Sequence, residues 1–180
     1  MVVGRRASVG TRRVQPEGGA PLDGERAASA DAAHAAALRL LTTRARTRAE
    51  LRQRLEDRGF EAAAVAETLD RLERVGLVDD AALAATVAEG RAEHGLDAPA
   101  IAAELRDRGV DPAVAEGAAQ AAVPAEDRAD RCRQVAQARM AQLAGLPAPT
   151  QLRRLASYLA RRGYPPDLAE SVARDLVGFD

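Results

Sequence analysis

The sequence has no lysine, no tryptophan, one cysteine, two histidines and only four residues that are Phe or Tyr. A single cysteine excludes an internal disulfide framework and any cysteine-based zinc centre. His34 and His94 lie far apart in the chain, so no metal site is expected. Isoleucine occurs once and threonine seven times, too few for a large β-sheet. No run of 18 apolar residues is present, so no membrane span is expected. The N-terminal stretch has arginines but no apolar core of the secretory type, and the expected location is the cytoplasm. Neither standard Gly-rich phosphate loop is found, nor a supported Ser/His/Asp set, nor a His-Glu motif on a helix. The carboxylate pairs Asp79-Asp80 and Glu126-Asp127 sit where helices begin, and capping accounts for them. The expectation is a protein without catalytic residues, metal or cofactor, and not an enzyme.

Alanine supplies 43 of the 84 apolar residues among 180. Alanine buries little surface, so one thick core is excluded in favour of several thin ones in a row. Ala, Leu, Arg and Glu dominate, and all are strong helix formers.

Residues 1–28 carry five Gly and two Pro without helical periodicity, and are expected to form a disordered tail. Beyond them the chain is helical almost throughout. Thr47-Arg-Ala-Glu50 is a capping box, in which the Thr hydroxyl serves one free N–H and Glu50 reaches back to another. Leu51 and Leu55 continue that helix, and Arg58-Gly59-Phe60 closes it. The closure recurs twice. Leu55-Glu-Asp-Arg58-Gly59-Phe60 is matched by Leu105-Arg-Asp-Arg108-Gly109-Val110 and by Leu159-Ala-Arg-Arg162-Gly163-Tyr164, at offsets of 50 and 54 residues. Leu51, Ile101 and Leu155 each precede the repeated Leu by four. Such a period marks an internal repeat. Gly59, Gly109 and Gly163 are expected to take the left-handed conformation just past a helix end, with the next apolar residue folding back as a core anchor.

Each copy is preceded by a further helix, at about 31–44, 80–93 and 125–143. Either Asp79 or Asp80 can cap the second. The expected fold is all-α: three tandem three-helix repeats in an elongated array, spanning 29–76, 77–123 and 124–180.

All 26 basic residues are arginine, while the net charge is −1. Gene base composition explains the arginine bias most simply, yet every basic contact is a fork suited to carboxylate or phosphate. Residues 39–58 hold seven Arg against three acids, a local +4, and residues 59–90 carry a local −5. Arg44, Arg46 and Arg48 fall at the turn between helices. At about 100° per residue, Arg48 and Arg52 flank the Leu51/Leu55 stripe on one side, and Arg54 and Arg58 on the other. Two readings stay open: a solvated charged face, or a contact face for phosphates or an acidic partner. Cys132, between Arg131 and Arg133, is expected to be a buried thiol rather than a reactive one.

These strings closely resemble the RecX family. The resemblance rests on Leu38 to Leu51, Leu55-x-x-Arg58-Gly59-Phe60 and Leu72-x-x-x-Gly76-Leu77-Val78-Asp79-Asp80. Ile101-x-x-Glu104-Leu105-x-x-Arg108-Gly109-Val110 and Leu159-x-x-Arg162-Gly163-Tyr164 extend it, so that it covers roughly 35–177. It implies a regulator built from three-helix repeats that docks in the groove of the RecA–DNA filament. Such a regulator suppresses ATP hydrolysis, strand exchange and coprotease activity, and binds DNA, single- or double-stranded, more weakly. A monomer is expected. In the middle module Arg91, Arg106 and Arg108 join Arg44, Arg46, Arg48, Arg52 and Arg58 as contact candidates.

The alternative is an independent DNA-binding protein of helix-turn-helix type. Against it, residues 61–75 set Arg71 and Arg74 against four acids, and residues 111–123 contain no arginine.

Overall fold

The computed structural model describes residues 23–178. Among these the chain forms helices and no strand. A short turn, α1 (Gly24–Ala27), precedes three groups of three helices. The first is α2 (Ala30–Leu41), α3 (Arg48–Glu56) and α4 (Ala62–Arg74). The second is α5 (Asp80–Glu93), α6 (Ala98–Asp107) and α7 (Pro112–Ala122). A 3-10 turn (Ala125–Asp127) leads into α8 (Arg128–Met140), α9 (Ala148–Arg161) and α10 (Pro166–Val177). This is the all-α fold of three tandem three-helix repeats that the sequence pattern predicts.

The expectation of a disordered tail over 1–28 falls mostly outside the described residues. Its last six residues differ from it. Asp23 accepts the Arg26 N–H at 2.8 Å and caps the start of α1. Ala27 is buried, and its carbonyl accepts the Glu61 N–H at 2.9 Å. A lone alanine held by one main-chain bond leaves no periodic signal in the sequence.

Each group of helices has its own apolar cluster. The first centres on Leu51, Leu55, Leu69 and Leu72, and reaches past Gly76 to Val78. The second has Ile101 and Leu105 as its largest side chains, and seven of its eleven buried members are alanine. The third holds Leu143, Leu155, Leu159 and Tyr164 around Cys132. A fully buried Leu or Ile contributes roughly 1.5–3 kcal/mol, so the middle cluster is the thinnest of the three.

The three turns close alike. Leu55, Leu105 and Leu159 offer their carbonyls to the N–H groups of Phe60, Val110 and Tyr164 at 3.2, 3.1 and 3.3 Å. Gly59, Gly109 and Gly163 lie at φ 88°, 80° and 92°, where an L side chain is strained.

Several ends differ from the expected ones. Helix α2 stops at Leu41, not near 44, because the Thr42 and Thr43 hydroxyls each donate to carbonyls of its last turn at 2.8 Å. Helix α8 begins at Arg128 because residues 125–127 wind more tightly. Asp79 caps α5 by accepting the Ala82 N–H at 2.9 Å, whereas Asp80 accepts the Arg48 N–H of α3 at 2.8 Å.

The repeats meet end to end through their second helices. At the first junction the Thr47 hydroxyl donates to the Arg108 carbonyl at 2.6 Å. At the second the Asp97 N–H donates to the Arg162 carbonyl at 2.8 Å. In both, the positive start of one helix receives the negative end of the next, which satisfies orphan groups on each side.

Candidate functional site

The arginines selected from the sequence take three different places. Arg44, Arg46 and Arg108, with Arg54, line a groove of about 420 Å³ at the first junction, which also contains Glu50 and Asp107. Glu50 accepts from Arg108 Nε at 2.9 Å and pairs with Arg44 at 3.4 Å. Burial pushes the Glu50 pKa up, but the Arg108 bond and charge, Arg44 and the Thr47 N–H together hold it below its usual value. Arg46 donates to the Leu40 carbonyl at 3.3 Å. Burial, and then the like charges of Arg44 and Arg54, lower its pKa.

Arg48 is turned away from that groove. It binds Asp70 at 2.7 Å and Glu73 at 2.5 Å, and the Asp70 bond leads in raising its pKa. Arg91 grips Glu104 with bonds of 2.6–2.9 Å, and Arg106 meets Glu116 at 3.2 Å. The Arg91 bond leads in lowering the Glu104 pKa. Arg52 is exposed on α3 and Arg58 in the turn that follows it, and no carboxylate of the described residues lies within ion-pair distance of either. The groove therefore gathers three of the eight candidates, and carboxylates of the chain itself hold three others.

A second basic groove was not anticipated from the sequence. Arg139 of α8 and Arg153, Arg154, Ser157 and Arg161 of α9 line about 400 Å³. Leu155 and Leu159 turn into the third core, which leaves 153, 154, 157 and 161 on the opposite, exposed side of α9. None of these four arginines forms an ion pair with the described residues. The Arg139 and Arg162 guanidinium carbons lie 5.0 and 4.6 Å from the centre of the Tyr158 ring, a double cation–π arrangement. A sequence signal for this groove exists. Residues 131–166 contain seven arginines and no acid, a stronger bias than that of 39–58.

Cys132 is fully buried. Burial, and then Asp97, push its thiol up to about 11 against the pull of Arg133, so its neighbouring arginines do not activate it. Among the described residues no group of three or more His, Cys, Asp and Glu could hold a metal ion. No helix among them is long and apolar enough to cross a membrane.

Three-helix repeats joined end to end, with one arginine-lined groove at the first junction and another on the third repeat, define an all-α helical-repeat protein. Family models for the first and third three-helix domains of RecX match residues 33–72 and 125–172. The regulatory protein RecX of Thermobifida fusca is 42% identical over 144 residues, 79% of this chain and 77% of that one. That of Mycobacterium sp. (strain KMS) is 43% identical over 150 residues, 81% of this chain and 79% of that one. That of Streptomyces coelicolor is 37% identical over 146 residues, 81% and 77%. The chain belongs to the RecX family. The crystal structure of RecX from Lactobacillus salivarius superposes with a TM-score of 0.69 at 18% identity, covering 82% of this chain and 96% of that one. A second crystal structure of regulatory protein RecX gives 0.68 at 19% identity, with 90% and 80% coverage. These two show the shared fold.

Proposed function

We propose that this protein binds the RecA–DNA filament and restrains it, inhibiting ATP hydrolysis, strand exchange and coprotease activity. The observation that carries the reading is the placement of arginine. One groove lies at the junction of the first two repeats and another lies on the third. The module helices run from 9 to 14 residues, roughly 14–21 Å at 1.5 Å per residue, so a row of such modules offers contacts separated by more than one helix length. A single monomer can thus engage more than one unit of a repeating partner. Fork-shaped guanidinium groups suit both the phosphates of a filament's DNA and the acidic side chains of its protein. The protein works by occupancy and turns over no substrate. It acts where the filament forms, in the cytoplasm.

Helix-turn-helix reading of a bare duplex is disfavoured because helices α4 and α7 present acids or alanine where a recognition helix presents donors. The test is ATP hydrolysis by RecA preassembled on single-stranded DNA, measured while the protein is titrated. Inhibition is expected at less than one copy per RecA protomer. No inhibition at stoichiometric excess overturns the reading. Inhibition only at concentrations that saturate bare DNA would favour the independent DNA-binding protein.

A further inference from the structure

The two grooves differ in one respect that decides what each can hold. The first contains the carboxylates of Glu50 and Asp107 among its arginines. The second contains Arg139, Arg153, Arg154, Arg161 and the Ser157 hydroxyl, with no carboxylate and no large apolar side chain. We propose that this third-repeat groove is a binding site for the sugar–phosphate backbone of a nucleic acid, held without regard to base sequence.

Four guanidinium groups facing one groove raise the positive potential there and favour an anion shared among them. No carboxylate lines this groove, and none of its four arginines forms an ion pair with the described residues; Glu170 lines the adjoining cavity with Arg153 and Ser157 without pairing to Arg153. An anion from outside is the partner the groove lacks. An acidic protein is the weaker candidate, because stable protein interfaces need a desolvated apolar or aromatic centre, and the groove lining has none. Phosphodiester backbone needs only forked donors, which arginine provides.

Spacing agrees. Arg153 and Arg161 are eight residues apart on α9, about 12 Å along its axis at 1.5 Å per residue. That length spans roughly three or four phosphates of one strand at about 3.4 Å of duplex axis each. Base reading is not supported. Tyr158, the aromatic residue of α9, is already faced by Arg139 and Arg162, so its ring is not free as a stacking platform.

This assignment deepens the filament reading by naming what one of its two grooves holds, and it is tested without RecA. Fluorescence anisotropy of a labelled 30-base-pair duplex, and of the same strand single, is measured across a salt series with the full chain. The triple variant R153A/R154A/R161A is expected to bind both probes at least about tenfold more weakly, with the log–log salt slope reduced by roughly 2 to 3. Alanine favours helix, and circular dichroism checks that α9 is retained. R153K/R154K/R161K keeps the charges and is expected to stay within about threefold of the parent, with the same slope. Scrambling the duplex sequence is expected to change nothing. Unchanged affinity and slope in the alanine variant would overturn the proposal. So would unchanged DNA binding combined with lost binding to polyglutamate, which would make the groove an acidic-protein site.

Discussion

At the first junction between repeats the donor is the hydroxyl of Thr47, and at the second it is the main-chain N–H of Asp97. Both reach the carbonyl of the arginine just before a turn glycine, Arg108 or Arg162. The charges around them differ as well. Glu50, three residues into α3, pairs with Arg108 of the incoming turn. Asp97 has a fully buried carboxylate that pairs instead with Arg128 of α8 at 2.9 Å, while Arg162 donates to the His94 carbonyl. One docking geometry is therefore held by two sets of polar groups. What is common is the absence of a side chain. A Cβ on Gly109 would sit 2.3 Å from Ala49 Cβ, and one on Gly163 would sit 2.7 Å from Ala100 Cβ and 2.8 Å from its nitrogen. Gly59, in the equivalent turn of the first repeat, has open space there. At the start of α9 the N-cap is Pro147, which has neither an N–H nor a hydroxyl and cannot supply the donor used at either junction. The repeats close by the same turn and differ in the polar groups with which they meet their neighbours.

The glycines test this most strongly. Gly163→Ala is expected to cost about 3 kcal/mol, from the left-handed φ plus a collision with main chain that cannot yield. Gly109→Ala would bring its Cβ to 2.3 Å from Ala49 Cβ, an atom with no rotamer to escape by, and should likewise cost about 3 kcal/mol. Gly59→Ala carries the conformational cost alone, about 1 kcal/mol. Urea unfolding of the three variants measures the series. Equal losses at all three positions would mean that these glycines serve backbone conformation only and that the junction contacts contribute nothing.

The polar groups come next. Thr47→Val keeps the shape of a fully buried residue, but removes the cap on the Glu50 N–H and strands the Arg108 carbonyl. A loss of about 2 kcal/mol is expected. Asp97→Asn retains the main-chain donor of the second junction and deletes only the charge facing Arg128. That arginine is 28% exposed and can recover water, so about 1 kcal/mol is expected. Thermal denaturation of both variants orders them. If Asp97→Asn proved the more costly, the second junction would depend on its ion pair rather than on its main-chain bond.

Within each repeat the sequence was readable for a physical reason. Leu-x-x-Arg-Gly-apolar is a local closure, and the Thr47–Glu50 box is a local cap, so both are complete in a few consecutive residues. Contacts between repeats join residues far apart. Thr47 meets Arg108 across 61 positions, and nothing in either neighbourhood announces the other. Asp79 and Asp80 read as interchangeable caps, yet only the three-dimensional arrangement sends Asp80 to α3. Among the candidate arginines, Arg48 and Arg91 looked available because their carboxylate partners come from other helices, α4 and α6. The third-repeat groove needed no structure to be noticed, only a count of acids extended past residue 130.

The smallest expected effect is on pH, and it belongs to the first junction. In the folded chain Glu50 titrates below its ordinary value, although burial alone would raise it, because Arg108, Arg44 and the Thr47 N–H favour the carboxylate. In the unfolded chain it returns to about 4.3. A carboxyl group depressed in this direction stabilises the fold above the unfolded value. That contribution is lost as pH falls through the folded value. Between pH 7 and about 5 the difference in stability between the parent and Glu50→Gln should therefore be constant, and below about 4.3 it should shrink. Only part of the ion pair is desolvated, with Glu50 18% and Arg108 19% exposed, so salt should diminish the same difference. Urea midpoints at stepped pH values, at low and high salt, give the measurement. Parallel curves for the two proteins down to pH 3 would show that Glu50 does not couple to Arg108. The first junction would then rest on Thr47 and on the close approach of Gly109 to Ala49.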